Sequence, residues 1–300
     1  MRAHGTGAKL AFADREAFYG DPNFVQVPMD QLLSDTYNDA RRRLIDSQAS
    51  LELRPGHIPG FGATPINRIA KPDAAPRGAA VLGVAEDTMA RHGRVRGDTC
   101  HLDVIDRAGN MVAATPSGGW LQSSTVIPGL CFALGTRAQM FWLQEGTPTS
   151  LAPGARPRTT LTQSLAFRDG EPYMVFGTPG EDKQDQWSLT FFLRHVHFGI
   201  NLQEAIDTPM FHTSHFPGSF YPRESYPGRV AIEGRFPDET ITELRRRGHT
   251  VQVEKDWCLG RLSAVAKDGD LIKGGSKSTL YAGLCRGQIA TNWPIPHKMG

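Results

Sequence analysis

The sequence is poor in features that assign chemistry on sight. Its four cysteines, Cys100, Cys131, Cys258 and Cys285, are widely separated and form no CxxC pair, which excludes a zinc knuckle or dithiol redox motif and leaves no disulfide required. No uninterrupted apolar run approaches the roughly 20 residues that span a bilayer, and the first residues lack a secretory pattern, so no membrane partner is expected and a reducing, cytoplasmic setting is favoured. Charge of one sign is also missing. The 33 basic and 31 acidic residues give a net charge of +2 without long runs, which leaves no electrostatic footprint for nucleic acid. The triplets Arg41-Arg42-Arg43 and Arg245-Arg246-Arg247 fall on helix-like segments and read as solvated faces. Metal-ligand spacing is absent too: His195 and His197 sit i, i+2 on an expected helix and point to different sides, while His212 and His215 follow a proline in a loop. No metal and no cofactor is expected, and a metal-dependent hydrolase is the weakest functional reading.

What is present is a chain of 300 residues, 39% of them hydrophobic, enough to bury a core. Residues 8–46 read as mainly helical, broken at Tyr19-Gly20-Asp21-Pro22, with one helix over Met29 to Asp46. Ala8 to Ala13 already reads as mid-helix, as though a longer chain were entered partway. From Arg54 to Gly83 the chain is dense in Pro, Gly and Ala and reads as an exposed linker. A hairpin then starts at Thr99-Cys100-His101 and turns at Asp106 to Asn110. A second spans Leu161 to Phe176 around "RDGEP". Helices follow over Gln186 to Phe198, from Asn201 to a stop at Pro209, and from Pro237 to Arg247 with Gly248 as its C-cap. This order predicts an α+β layered protein rather than a wound βαβ sheet.

The first hairpin opens with "GDTCHLDVID", Gly97 to Asp106. Cys100 and His101 are adjacent on a strand and point to opposite faces, so they cannot pair as nucleophile and base. A threonine hydroxyl needs a base to take its proton, and an N-terminal threonine carries one in its own α-amino group. Thr99 is internal, so that chemistry requires cleavage of the Asp98-Thr99 bond. Two later segments fit it. Phe176-Gly177-Thr178-Pro179-Gly180 leads from a strand into a helix and leaves N–H groups free for an oxyanion. Thr159-Thr160, beside Arg156 and Arg158, offers hydroxyls and cations suited to a carboxylate.

Five ordered blocks resemble the γ-glutamyltransferases, and within them the bacterial γ-glutamyltransferase-like branch: Lys9 to Ser34, Gly97 to Ser124, Ala155 to Thr162, Phe176 to Trp187 and Phe198 to His212. The resemblance implies an N-terminal-nucleophile hydrolase fold, a four-layer αββα sandwich, incomplete here. It implies a precursor that cuts itself, with residues 1–98 as the end of the large-subunit region and residues 99–300 as a small-subunit-like catalytic region. Thr99 matches the nucleophile, Ser117 the hydroxyl that supports its amino group, Thr159 and Thr160 the pair that holds the substrate carboxylate, and Gly180 an oxyanion-hole glycine. Where family transferases carry Asn, Gln and Asp to read an α-ammonium, this chain has Gly119, Arg137 and Met140. A methionine binds no ammonium and an arginine favours an anion, so Arg137 is a substrate-binding candidate for a different acyl group. Glu181 replaces a second glycine beside the oxyanion position, and the tail from Gly274 departs from the family pattern. The resemblance implies γ-glutamyl or related amide chemistry without a cofactor, working with a missing N-terminal segment or as a homo-oligomer. The rival reading is an uncleaved, silent remnant with a structural or interaction role.

Overall fold

The computed structural model describes residues 2–62, 99–118, 126–220, 223–277 and 293–294. Asp98, Gly119, Cys285 and most of the expected linker lie outside these residues.

Helix α1, Arg2–Phe18, starts before the expected helical stretch and buries Leu10, Phe12, Ala13, Ala17 and Phe18. Phe12 stacks on Phe216 with ring centroids 3.8 Å apart, which fastens the helix to the later part of the chain. The single helix expected over Met29 to Asp46 is two, α2, Met29–Leu32, and α3, Asp35–Arg42. The cause is Ser34: its backbone is extended, and its hydroxyl accepts from Tyr37 N at 3.3 Å, so it caps a new helix rather than continuing the old one. The start of the expected linker is largely exposed but is tied down at one residue. Ile58 is buried against Ala17, Phe18 and Leu32, and this contact holds residues 54–62 to the first two helices. Arg41 departs from a solvated face: it pairs with Asp14 at 3.2 Å and donates to the carbonyls of Leu10 and Arg54 at 3.2 and 2.5 Å.

Strands β1, Leu102–Ile105, and β2, Met111–Ala114, form an antiparallel hairpin with Leu102 opposite Ala114. Regular pairing begins at Leu102 rather than Thr99. Cys100 N still donates to Pro116 O at 3.2 Å, but a proline has no N–H to return, so the ladder ends there. Strands β3, Ser164–Arg168, and β4, Glu171–Gly177, turn at Asp169-Gly170, both with positive φ as a two-residue hairpin turn demands. With β8, Ser263–Asp268, β9, Leu271–Ser276, and β10, Trp293–Pro294, they make a five-stranded sheet in the order β10-β9-β8-β4-β3.

Helices α4, Lys183–Phe192, and α5, Leu202–Asp207, cover one face of that sheet, and α4 passes into a π-turn over Leu193–His197. Alternation in β4 sends Met174 and Phe176 to the helical side, where they meet Trp187, Phe191, Ile206 and Leu262 in the main core. The β1–β2 hairpin packs on the opposite face, against β4 and β8. Hairpin, sheet and helices are thus three successive layers of the αββα arrangement. The outer face of the hairpin is apolar and open: Leu102, Val104 and Val112 are 44%, 48% and 52% exposed.

A three-stranded sheet joins β5, Phe211–Thr213, β6, Arg229–Glu233, and β7, Thr250–Glu254. Its β6–β7 pair is parallel, with α6, Asp238–Arg246, as the crossover that ends before Gly248 at φ +88°. Among the described residues no helix is long and apolar enough to cross a membrane.

Candidate active site

Hairpin register builds the first part of the site. With Leu102 opposite Ala114, Thr99 falls opposite Ser117, and their hydroxyl oxygens lie 2.6 Å apart. Strand alternation puts Thr99, His101 and Asp103 on the face toward the large sheet and leaves Cys100 exposed. The turn after Ser117 brings in Arg137: a Cβ on Gly118, whose φ is +66°, would lie 3.0 Å from Arg137 Nε. Arg137 stands on a 3-10 turn, Thr136–Met140, with its guanidinium carbon 5.6 Å from the Phe220 ring centre. Met140, on the same turn, is fully buried and presents no polar group.

The second part is the run from β4 into α4. Gly177 can only be glycine, since a Cβ there would overlap the His101 ring. Gly180 has φ +141°, and a Cβ on it would come within 2.6 Å of the Trp187 ring. Its carbonyl accepts from Lys183 N at 3.0 Å, which turns the chain into α4. Gly180→Ala combines a disfavoured backbone with a clash, so it should cost about 1–3 kcal/mol of stability and lower turnover as well, measured by urea melts and initial rates on one preparation.

Thr159 and Thr160 lie apart in character: Thr159 is exposed, its hydroxyl accepting from Leu161 N at 3.1 Å, and Thr160 is buried. The neighbouring cations expected to serve a carboxylate are engaged elsewhere. Arg156 pairs with Asp21 at 2.9 Å, and Arg158 with Glu16 at 2.5 Å.

Beneath these elements lies a buried ionic cluster. Arg15 of α1 bridges Glu16 and Asp182 at 2.9 and 2.6 Å, Arg158 reaches both Glu16 and Ser219, and Trp142 Nε1 donates to Glu16 at 3.2 Å. Ser219 closes the ring, its N–H and hydroxyl both donating to Asp182 at 2.7 and 2.6 Å. Burial alone would raise the Glu16 and Asp182 carboxyls, but Arg15 and Arg158 outweigh it and hold both below their ordinary range. Asp182 follows Gly180 by two residues, so the cluster anchors the turn at Gly180 to α1.

Asp185, one turn along α4, has the opposite character: burial pushes it up to about 6, against the opposing field of Arg15. A raised carboxyl favours the folded state when protonated, so this contribution is present below the unfolded value and lost as pH rises through about 6. Asp185→Asn should therefore remove a decline in melting temperature that runs from about pH 4, the ordinary carboxylate value, to about pH 6 and is complete by neutral pH.

Sequence reasoning did not find Arg15, Glu16, Asp182 or Ser219, because no local spacing connects them. His101 and Asp103 had a signal: polar residues at 99, 101 and 103 alternate with apolar Leu102 and Val104, so the polar side of the strand is the inner one. Three further described histidines sit in structural contacts. His195 bonds Tyr173 and the Ile200 carbonyl, both at 2.8 Å, and His215 bonds the Glu52 carbonyl at 2.9 Å. His212 stands edge-on to Trp187. Among the described residues no group of three His, Cys, Asp or Glu could hold a metal ion.

Known proteins resemble this chain over most of its length. Glutathione hydrolase-like YwrD proenzyme of Bacillus subtilis (strain 168) is 28% identical, across 89% of this chain and 43% of its own length. A solved structure of LmbA2991 is 53% identical with a TM-score of 0.76, covering 91% of this chain and 46% of that one. Cephalosporin acylase from Bacillus halodurans is 26% identical with a TM-score of 0.67, covering 91% and 42%. The chain thus spans less than half the length of these relatives. The family described as Gamma-glutamyltranspeptidase matches residues 6–281, and with it the chain belongs to the gamma-glutamyltranspeptidase family.

Proposed function

We propose that this chain carries the catalytic part of an amide hydrolase or acyltransferase that works through Thr99. The observation that carries the reading is the pair of hydroxyls, Thr99 and Ser117, 2.6 Å apart where the hairpin ladder ends. Cleavage of Asp98-Thr99 frees the threonine amino group, which takes the hydroxyl proton as the oxygen attacks an amide carbonyl. The Gly180 N–H is the oxyanion donor, at a turn that Trp187 keeps in one conformation. Collapse expels the amine and leaves an ester on Thr99, which water or an acceptor amine then resolves. Ser117 orients the nucleophile and its amino group, and Thr159 and Thr160 take a substrate carboxylate.

The side chains near Ser117 bear on the acyl group. Arg137 is a cation and Met140 is buried and apolar, a pair that offers nothing to an α-ammonium. The reading is therefore an acyl or amide donor without that ammonium, in keeping with the cephalosporin acylase among its relatives. The open face of Leu102, Val104 and Val112 is read as a surface that further polypeptide covers in the working enzyme. Intact mass is the test. The wild-type precursor should give two fragments divided before Thr99, and the cut protein should release amine from a γ-glutamyl or simpler acyl anilide. A precursor that stays whole and turns over neither anilide overturns the reading in favour of a silent remnant.

A further inference from the structure

Behind Thr99, in the space between the two sheets, lies a polar row that the reaction above does not use. In the hairpin register His101 falls opposite Thr115, one step inward from Thr99 and Ser117. His101 Nδ1 is 2.6 Å from Thr115 Oγ1, and His101 Nε2 is 3.0 Å from Asp103 Oδ1. Ser263 of β8 donates to the other Asp103 oxygen at 2.6 Å. The His101 and Asp103 side chains are 2% and 1% exposed. An imidazole and a carboxylate between two sheets lose their hydration, and apolar side chains of the same size would fill the space at less cost. Both ring nitrogens and both carboxylate oxygens are met, so the row has one fixed arrangement.

We propose that His101, held by Thr115, Asp103 and Ser263, is a positioning residue for Thr99; this rests on the reading of Thr99 as nucleophile. The row acts on both sides of the reacting atoms. Asp103 can only accept, so in the neutral ring Nε2 carries the hydrogen and Nδ1 accepts the Thr115 hydroxyl. Thr115 is thereby fixed two residues before Ser117, on the strand end from which Ser117 reaches Thr99. The other face of the relation is Gly177, whose missing side chain lets the His101 ring lie against the end of β4. The ring sets the distance between the strand end that bears Thr99 and the turn that bears Gly180. Ser263 ties the same row to β8, so β1, β2, β4 and β8 share one strut.

The test uses the complete precursor and the pair Thr115→Val and Thr115→Ser, with Asp103→Asn as a second probe. Valine matches threonine in shape and lacks only the hydroxyl. Loss of the strut should slow self-cleavage and lower kcat by about 10- to 100-fold with KM within about twofold, because sub-ångström misplacement acts on the chemical step. Thr115→Ser should restore both rates, and Asp103→Asn should reproduce the valine effect. Wild-type rates in Thr115→Val and Asp103→Asn overturn the proposal and leave Thr99 in place. Equal losses in the valine and serine variants, or a change in KM alone, overturn it as well by reducing the row to packing. A wild-type precursor that is never cut removes the Thr99 reading, and this proposal with it.

Discussion

Replacing Glu16 with alanine should destabilise the protein by about 3–5 kcal/mol at neutral pH, because it leaves the buried Arg158 guanidinium without its paired carboxylate and takes one of two from Arg15. Glu16 has no exposed side-chain surface, and Arg15, Arg158 and Trp142 all bond to it. Arg158 keeps only its bond to Ser219 once the carboxylate is gone, and Arg15 keeps Asp182. Glu16→Gln retains the shape and one acceptor, so it should lose less than alanine. Both costs should shrink in acid. Glu16 and Asp182 are held below their ordinary range, so their stabilisation is present above the unfolded carboxylate value and lost as pH falls through the folded one. Urea melts of wild type and both variants at neutral pH and near pH ~3 measure this directly. Midpoints that do not separate at neutral pH would show that the cluster contributes no stability. A second consequence is local: Asp182 stands two residues from Gly180, so loss of Glu16 should depress turnover beyond what the unfolded fraction explains.

The difference between the local and the distant explains which features could be read in advance. Asp169-Gly170 between two apolar stretches, Pro209 after α5 and Gly248 after α6 are signals complete within a few residues, and each element they bound is present. Ser34 was equally local, yet a serine inside an apolar helical pattern reads as a neutral position until its backbone is seen to be extended. The arginines could not be read. Whether Arg158 serves a substrate or is neutralised inside depends on Glu16, 142 positions away. Arg41 meets Asp14 on another helix for the same reason. The candidate site divides likewise. Thr99 stood out by its chemistry and by family resemblance, and Ser117 follows once the hairpin turn is placed, because register fixes what lies opposite. Gly180 was named by the same resemblance, and the structure adds the reason that no side chain is tolerated there, the approach of Trp187.

Thr99→Ala should remain a single chain and lose the bulk of its amide-cleaving activity, a fall in kcat of about 10³- to 10⁶-fold by comparison with removal of other activated nucleophiles. In the proposed mechanism two separate steps converge on that residue, which makes the series more informative than one variant. Self-cleavage needs the side-chain hydroxyl while the amino group is still an amide; turnover needs the hydroxyl and the freed amine together. Thr99→Ser keeps the hydroxyl and should be cut, with slower turnover because the methyl that restricts its rotamer is gone. Ser117→Ala keeps the nucleophile and removes its 2.6 Å partner, so it should be cut slowly and, once cut, retain part of the wild-type rate. The order expected from intact mass and initial rates is wild type, then Thr99→Ser and Ser117→Ala, then Thr99→Ala with neither product. A Thr99→Ala chain still divided before residue 99 would place the nucleophile elsewhere. A cut but inactive Thr99→Ser chain would separate the two steps and put the burden of turnover on the threonine methyl, not on the hydroxyl alone.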